Sequence, residues 1–244
     1  MTDAANQAVT DYRSKQQFNP INRYLHSIRY GELRRFLATV LTKDDPSIFE
    51  IGCGYGQSID VIRSALGGRS FKYYGADLGT SYIEHAKSHH GSSDVRFECR
   101  DARDMAAESF RPPEPPDCII ALEVFEHIRE TDVPKVVEWL VRMDAPALIT
   151  VPNETGPAIL IKNLGSAAMG YVRHRDYRLK DTLNAAFGRM ERLPPHGRSH
   201  IGFDWRWLLS VLKQRYRVDV RTSPYPFVPR SLSPSIFFYC WPRR

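Results

Sequence analysis

Five short apolar runs, Ile48–Ile51, Phe71–Ala76, Val95–Cys99, Cys118–Leu122 and Ala147–Val151, recur through the middle of the chain with helical spacing between several of them. Apolar runs of roughly four to eight residues have strand length, whereas buried helices need about ten or more. Their alternation with helical stretches near 57–66, 80–90 and 132–143 implies parallel strands joined by crossover helices. The fold class this predicts is α/β: a doubly wound, mostly parallel sheet. The segment RPPEPPD at 111–117 is too rich in proline for a helix and predicts the loop entering the fourth strand.

The flanking regions complete one domain. Residues 1–46 begin polar and then place Ile21, Tyr24, Leu25, Ile28, Leu33, Phe36, Leu37 and Val40 at roughly helical spacing, which predicts one or two N-terminal helices. Residues 47–152 form the sheet core. The next stretch, 153–203, carries no strand signal, and a connection of that length predicts a cap or substrate-recognition insert. Within 204–244 an amphipathic run from Asp204 to Gln214 predicts a helix, followed by two final strands at Tyr216–Arg221 and Ile236–Cys240. A chain of 244 residues suits a single core better than two.

Composition excludes several classes. Hydrophobic residues at 42% and charged residues at 25% exclude a disordered or fibrous chain. No apolar run approaches the roughly 18 residues that span a bilayer, and the opening MTDAANQAVTDYRSKQQF lacks the apolar centre of a signal peptide, which predicts a cytoplasmic protein. Cys53, Cys99, Cys118 and Cys240 are scattered, with no C-x-x-C pair, and read as reduced thiols. The net charge of +6 permits an anionic partner but is modest for a dedicated nucleic-acid binder. Residues 153–203 hold eight basic side chains against four acidic ones, so most of that charge lies in the insert. There, Tyr171 to Arg178 alternates aromatic and basic residues, a pattern suited to a phosphate, a sugar phosphate or an RNA end. A solvated helix face is the alternative reading.

The first apolar run leads into a glycine loop, Glu50-Ile51-Gly52-Cys53-Gly54-Tyr55-Gly56, with a helical stretch behind it. Glycine there permits a tight turn and close approach of a ligand, and the helix N-terminus offers unpaired N–H groups. A dinucleotide fingerprint needs G-x-G-x-x-G to seat a pyrophosphate. This loop has the third glycine one residue early and an acid ahead of it, which suits a ligand carrying an ammonium group. Asp77, some twenty residues on at the end of the second run, is placed to take both hydroxyls of a ribose.

The pattern E-x-G-x-G-x-G resembles the first motif of class I methyltransferases that use S-adenosylmethionine, and the resemblance extends over about 48–151. It implies a seven-stranded sheet with the last strand antiparallel. It also implies that Glu50, Gly52, Cys53, Gly54, Gly56, Asp77, Leu78 and Glu123 line the cofactor site. In that class the acid ending the third strand faces the adenine amino group, a role that falls to Asp101 with Ala102 beside the ring.

The fourth run ends in Glu123-Val124-Phe125-Glu126-His127. Two carboxylates and an imidazole within five residues suit Mg²⁺ or Mn²⁺, which would lower the pKa of a substrate hydroxyl for attack on the methyl group. The pattern resembles the metal-binding E-x-x-E-H of small-RNA 3′-terminal ribose 2′-O-methyltransferases and of ubiquinone-pathway O-methyltransferases. By that likeness His200 is the more distant fourth ligand, although the RNA enzymes read H-x-F-E-W where this chain has His200-Ile201-Gly202-Phe203-Asp204-Trp205. Without a metal, Glu126 becomes a helix cap and His127 or His200 the general base. The expected acceptor is a hydroxylated small molecule or glycan intermediate. Ribose methylation of RNA and N-methylation stand as alternatives. Asn153 and Glu154 follow the fifth run, where such enzymes line the acceptor pocket, while His174 and His196 read as surface or packing residues.

Overall fold

A computed structural model describes residues 20–160, 178–194, 196, 201–225 and 227–243. The elements in chain order are α1 (Pro20–Val40), β1 (Ser47–Ile51), α2 (Ser58–Leu66), β2 (Lys72–Asp77), α3 (Thr80–His90), β3 (Val95–Cys99), α4 (Ala102–Ala107), β4 (Cys118–Leu122), α5 (Val133–Val141), β5 (Ala147–Pro152), α6 (Leu179–Ala186), α7 (Trp205–Arg215), β6 (Tyr216–Thr222) and β7 (Ser235–Pro242). All seven sequence-predicted strands are present, within a residue or two of the expected bounds. Residues 111–117 form the loop into β4 as predicted.

The strands form one sheet in the order β3-β2-β1-β4-β5-β7-β6. β1 to β5 are mutually parallel, and β7 runs antiparallel to both neighbours. The chain winds outward from β1 to β3, then returns to β1's other side for β4. That reversal opens a crevice at the carboxyl ends of β1 and β4, where open α/β sheets take their ligands.

Strand alternation sorts the core into two layers. Phe49, Ile51, Ile119, Ala121, Ile149, Val151 and Phe238 face α5 and α7, where Val136, Trp139, Leu140, Leu208 and Leu212 complete one cluster. Ile48, Ile120, Leu148, Phe237 and Tyr239 face the opposite side, against Leu33, Phe36 and Leu37 of α1 and Ile59 and Ile62 of α2. Sequential residues thus bury on opposite faces, and the central strands read as continuous apolar runs because both faces are covered. The Tyr239 hydroxyl donates to the Glu32 carboxylate at 2.9 Å, fixing α1 across the sheet. This docking brings the N-terminal half of α1 to the crevice.

The cysteines are all unpaired thiols, three buried and Cys99 exposed. His196 is buried edge-on to Phe203 and Trp207, so it packs, as expected. His174 and His200 lie outside the described residues. No helix among the described residues is long and apolar enough to cross a membrane.

Candidate active site

The crevice is a cavity of about 570 Å³. That volume suits a ligand of nucleoside to drug size. Its floor is the glycine loop. The Gly52 and Cys53 amides both donate to the Ala76 carbonyl, at 2.7 and 3.2 Å, which binds the loop to the end of β2. Gly52 adopts φ +70°, and a Cβ there would lie 2.2 Å from Val124 Cγ2. Both the left-handed backbone and the close approach of the β4 loop therefore require glycine. Gly54 also has positive φ, and an added Cβ would meet no atom within 4 Å, which leaves its face open to the cavity it lines.

Asp77 stands beside this loop. One carboxylate oxygen accepts from the Gly54 amide at 2.9 Å and the other from the Gly79 amide at 2.8 Å. Each oxygen retains a second lone pair, so the carboxylate is oriented and still able to receive two donors. Asp101 is more heavily engaged. It caps α4 by accepting from the Arg103 amide at 2.8 Å, and the Arg103 guanidinium grips both of its oxygens. Burial alone would raise its pKa, but the hydrogen bonds and charge of Arg103 outweigh that and hold the carboxyl below its ordinary range.

Glu50 lines the cavity wall, yet its carboxyl turns into the protein. It accepts from the Tyr73 hydroxyl at 2.6 Å and from the Ser58 hydroxyl. Burial pushes its pKa up to about 7, against the lowering effect of those two donors. Cys53, Leu78 and Ala102 also line the cavity, as expected. Gly56, assigned to the cofactor by resemblance, is not among the lining residues; its amide instead donates to the Cys53 carbonyl at 3.0 Å and closes the turn into α2.

The other end of the cavity is formed by residues 122–128 and by α1. Glu123 has φ +58°, in the left-handed region that a side chain occupies at a cost of about 1–3 kcal/mol. Its amide donates to the Thr150 carbonyl at 2.9 Å, and its carboxylate pairs with Arg29 at 3.1 Å. Glu126 is fully buried in the wall, and neither carboxylate oxygen has a hydrogen-bond partner. Burial, and then the adjacent Glu123 charge, hold this carboxyl well above its ordinary range. His127 is exposed on the cavity rim.

The metal reading gains no support among the described residues. Among the described residues no group of three or more His, Cys, Asp or Glu side chains is placed to hold a metal ion. Glu123 is paired with the Arg29 guanidinium, and along the same cavity Glu126 is buried and His127 exposed. The fourth expected ligand, His200, lies outside the described residues.

Asn153 is likewise reassigned. Its side-chain amide donates to the Arg230 and Ser233 carbonyls at 2.8 and 2.9 Å, which ties the end of β5 to the loop before β7 rather than lining the cavity. Glu154 is buried behind the wall.

Sequence reasoning missed the contribution of α1. His26, Arg29 and Tyr30 reach the cavity, and the Tyr30 hydroxyl donates to Gln57 at 2.9 Å. Burial, then the Arg29 charge, push the His26 pKa down to about 4, which keeps this imidazole neutral. The available signal was the i, i+3, i+4 spacing of these three residues, which marks one helix face.

Residues 48–147 match the methyltransferase domain family. No curated protein matches the chain at a significant level. Among solved structures, the methyltransferase domain of bacterial CtHen1-C is similar with a TM-score of 0.57 at 15% identity, over 90% of this chain and 100% of that one. The plantazolicin methyltransferase BamL, solved with a triazolic desmethylPZN analogue and S-adenosylhomocysteine, is similar with a TM-score of 0.54 at 19% identity, over 96% and 91% of the two chains. The CMeT domain of the citrinin polyketide synthase has a TM-score of 0.54 at 14% identity and covers 93% of this chain and 58% of that one. At these identities the structures share the fold. The domain match over residues 48–147 and the seven-stranded topology give the described residues the class I methyltransferase fold and support S-adenosylmethionine-dependent methyl transfer as the activity.

Proposed function

We propose that the chain transfers a methyl group to the hydroxyl of a small-molecule or glycan acceptor, with His127 as general base and no resident metal ion. One observation carries this reading: a single cavity joins a nucleoside-type cradle at the glycine loop and Asp77 to a second, acid- and histidine-lined end at residues 122–128. The cradle residues fit S-adenosylmethionine. Asp77 offers two free lone pairs to a ribose diol, the open face at Gly54 admits the ligand to the backbone, and Asp101 and Ala102 border the adenine end. When bound, S-adenosylmethionine supplies an electrophilic methyl group on a sulfonium.

The remaining work falls to this chain's own side chains. His127, open to solvent on the rim, takes the acceptor's proton and releases it to water. Glu126, with two unpartnered oxygens in the wall, receives a donor from the acceptor and orients it. Arg29 and Glu123 hold α1 against the β4 loop, closing the acceptor end.

Replacing His127 by Gln is expected to lower kcat by about 10²-fold or more while leaving S-adenosylhomocysteine affinity within about twofold. Titration calorimetry and turnover on a panel of saccharides and phenols with methyl-labelled S-adenosylmethionine check both halves. A variant of native rate would remove His127 from the chemistry. Metal removal gives a second check: exhaustive treatment with EDTA is expected to leave the rate unchanged, and recovery on adding Mn²⁺ would restore the metal-assisted alternative.

N-methylation is the second reading, favoured by the charge balance of the acceptor end. Among the described residues there, Glu123 is paired with Arg29 and burial holds the Glu126 carboxyl well above its ordinary range, a balance that suits a neutral acceptor such as an unprotonated amine. The same balance disfavours the phosphodiester-rich end of an RNA.

A further inference from the structure

Nine large apolar side chains are exposed among the described residues, and seven of them fall in three segments: the helical residues 157–160 after β5, α6 with its C-terminal cap, and the 225–232 loop before β7. These segments are neighbours. The Gly156 amide donates to the Ala185 carbonyl of α6 at 2.9 Å, and the Ala158 amide to the Ser231 carbonyl at 3.1 Å. On α6, Leu179, Leu183 and Phe187 follow each other at intervals of four and form one stripe, with Leu179 at 75% and Phe187 at 71% exposure. On the loop, Phe227 is 81% exposed and stacks on Tyr225 with ring centroids 5.3 Å apart.

Cations are interleaved with these apolar tips. Arg178 and Lys180 flank Leu179, Arg189 lies over the Phe187 ring at 5.6 Å with Arg192 just beyond, and Arg230 follows Phe227. All five are exposed, whereas the same described segments hold two acids, Asp181 and Glu191.

We propose that this face is a docking surface for an anionic lipid bilayer. Separate protruding apolar tips with Arg and Lys between them match the chemistry of interfacial attachment, in which the tips enter the acyl boundary and the cations meet anionic headgroups. A protein partner would instead call for a contiguous apolar centre depleted of charge. The segment arises directly from β5, which pairs with β4 beside the acceptor end, so docking presents the active site to molecules held at a membrane surface. This surface stands independently of the acceptor reading above.

The test is flotation of the full chain with phosphatidylcholine vesicles, with and without about 30% phosphatidylglycerol, across ionic strength. Binding is expected to the anionic vesicles at low salt, to weaken as salt rises, and to fall at least about tenfold in the variant carrying Leu179→Glu, Phe187→Glu and Phe227→Glu. S-adenosylhomocysteine affinity in that variant reports whether it has folded. A charge-neutral variant, Leu179→Ser with Phe187→Ser and Phe227→Ser, is expected to lose binding as well. Failure of the native chain to float with anionic vesicles, or equal flotation of folded variants, would overturn the proposal. So would concentration-dependent self-association in the absence of lipid that the same substitutions abolish, because the surface would then cover a second copy.

Discussion

Asp77→Ala is expected to weaken S-adenosylhomocysteine binding by about 10²-fold or more. Two hydrogen bonds from a ribose diol to a carboxylate contribute about 1.5–3 kcal/mol each, and every 1.4 kcal/mol is a factor of ten. The loss has a second source within the protein. Asp77 is also the acceptor for the Gly54 and Gly79 amides, so its removal releases the glycine loop from the geometry that exposes the Gly54 face. Asp77→Asn keeps one acceptor oxygen and is expected to fall between the native chain and the alanine variant. Titration calorimetry of the three proteins checks the order. Equal affinities would move the nucleoside away from β2.

The Glu50→Gln variant is expected to gain stability and lose affinity. The Glu50 pKa stands at about 7 in the folded protein against an ordinary 4.5. Between these two values the native state holds a proton that the unfolded chain has released. Stability therefore falls as pH rises through this window, by about 3 kcal/mol in all, and is lower above pH 7 than below pH 4.5 as far as this group is concerned. Glutamine in the same place carries no charge at any pH. Thermal unfolding of the variant is expected to match the native protein near pH 5 and to exceed it near pH 8 by an amount on the order of 3 kcal/mol. We propose that this buried acid acts on the ligand's ammonium through its charge from behind the loop, so the variant's affinity for S-adenosylhomocysteine is expected to drop. A variant with the native pH dependence would place the charge elsewhere. Such a buried acid, unfavourable for folding and retained at a ligand site, is the usual form of a trade between stability and function.

Much of the fold was legible because both faces of the central strands are covered. Residues such as Ile119 and Ile120 are buried on opposite sides, so each strand is an uninterrupted apolar run that local reading finds easily. The glycine loop was legible for a different reason: Gly52 is required by its backbone and by Val124, and such a requirement is written in one residue type. Partnerships set by the tertiary structure were not legible. Nothing local joins Arg29 to Glu123, 94 positions apart, yet that ion pair engages the Glu123 carboxylate at the cavity. Glu126 and His127 are adjacent in sequence, yet the short helical turn Phe125–His127 buries one and exposes the other. Asp101 looked free to meet a ligand, whereas Arg103, two residues later, holds it. α6 escaped notice because its most apolar positions, Leu179 and Leu183, face outward and give no sign of a core.

One cavity is proposed to carry methyl transfer to an acceptor oxygen with His127 as base. The most direct measurement is transfer from trideuteromethyl S-adenosylmethionine to a panel of hydroxylated acceptors by metal-stripped enzyme, read by mass spectrometry for native protein and for His127→Gln. The expected result is label on an acceptor oxygen with the native protein, and loss of that label in a variant that still binds S-adenosylhomocysteine. Label that appears only after a divalent ion is added, or at an undiminished rate in the variant, would contradict it.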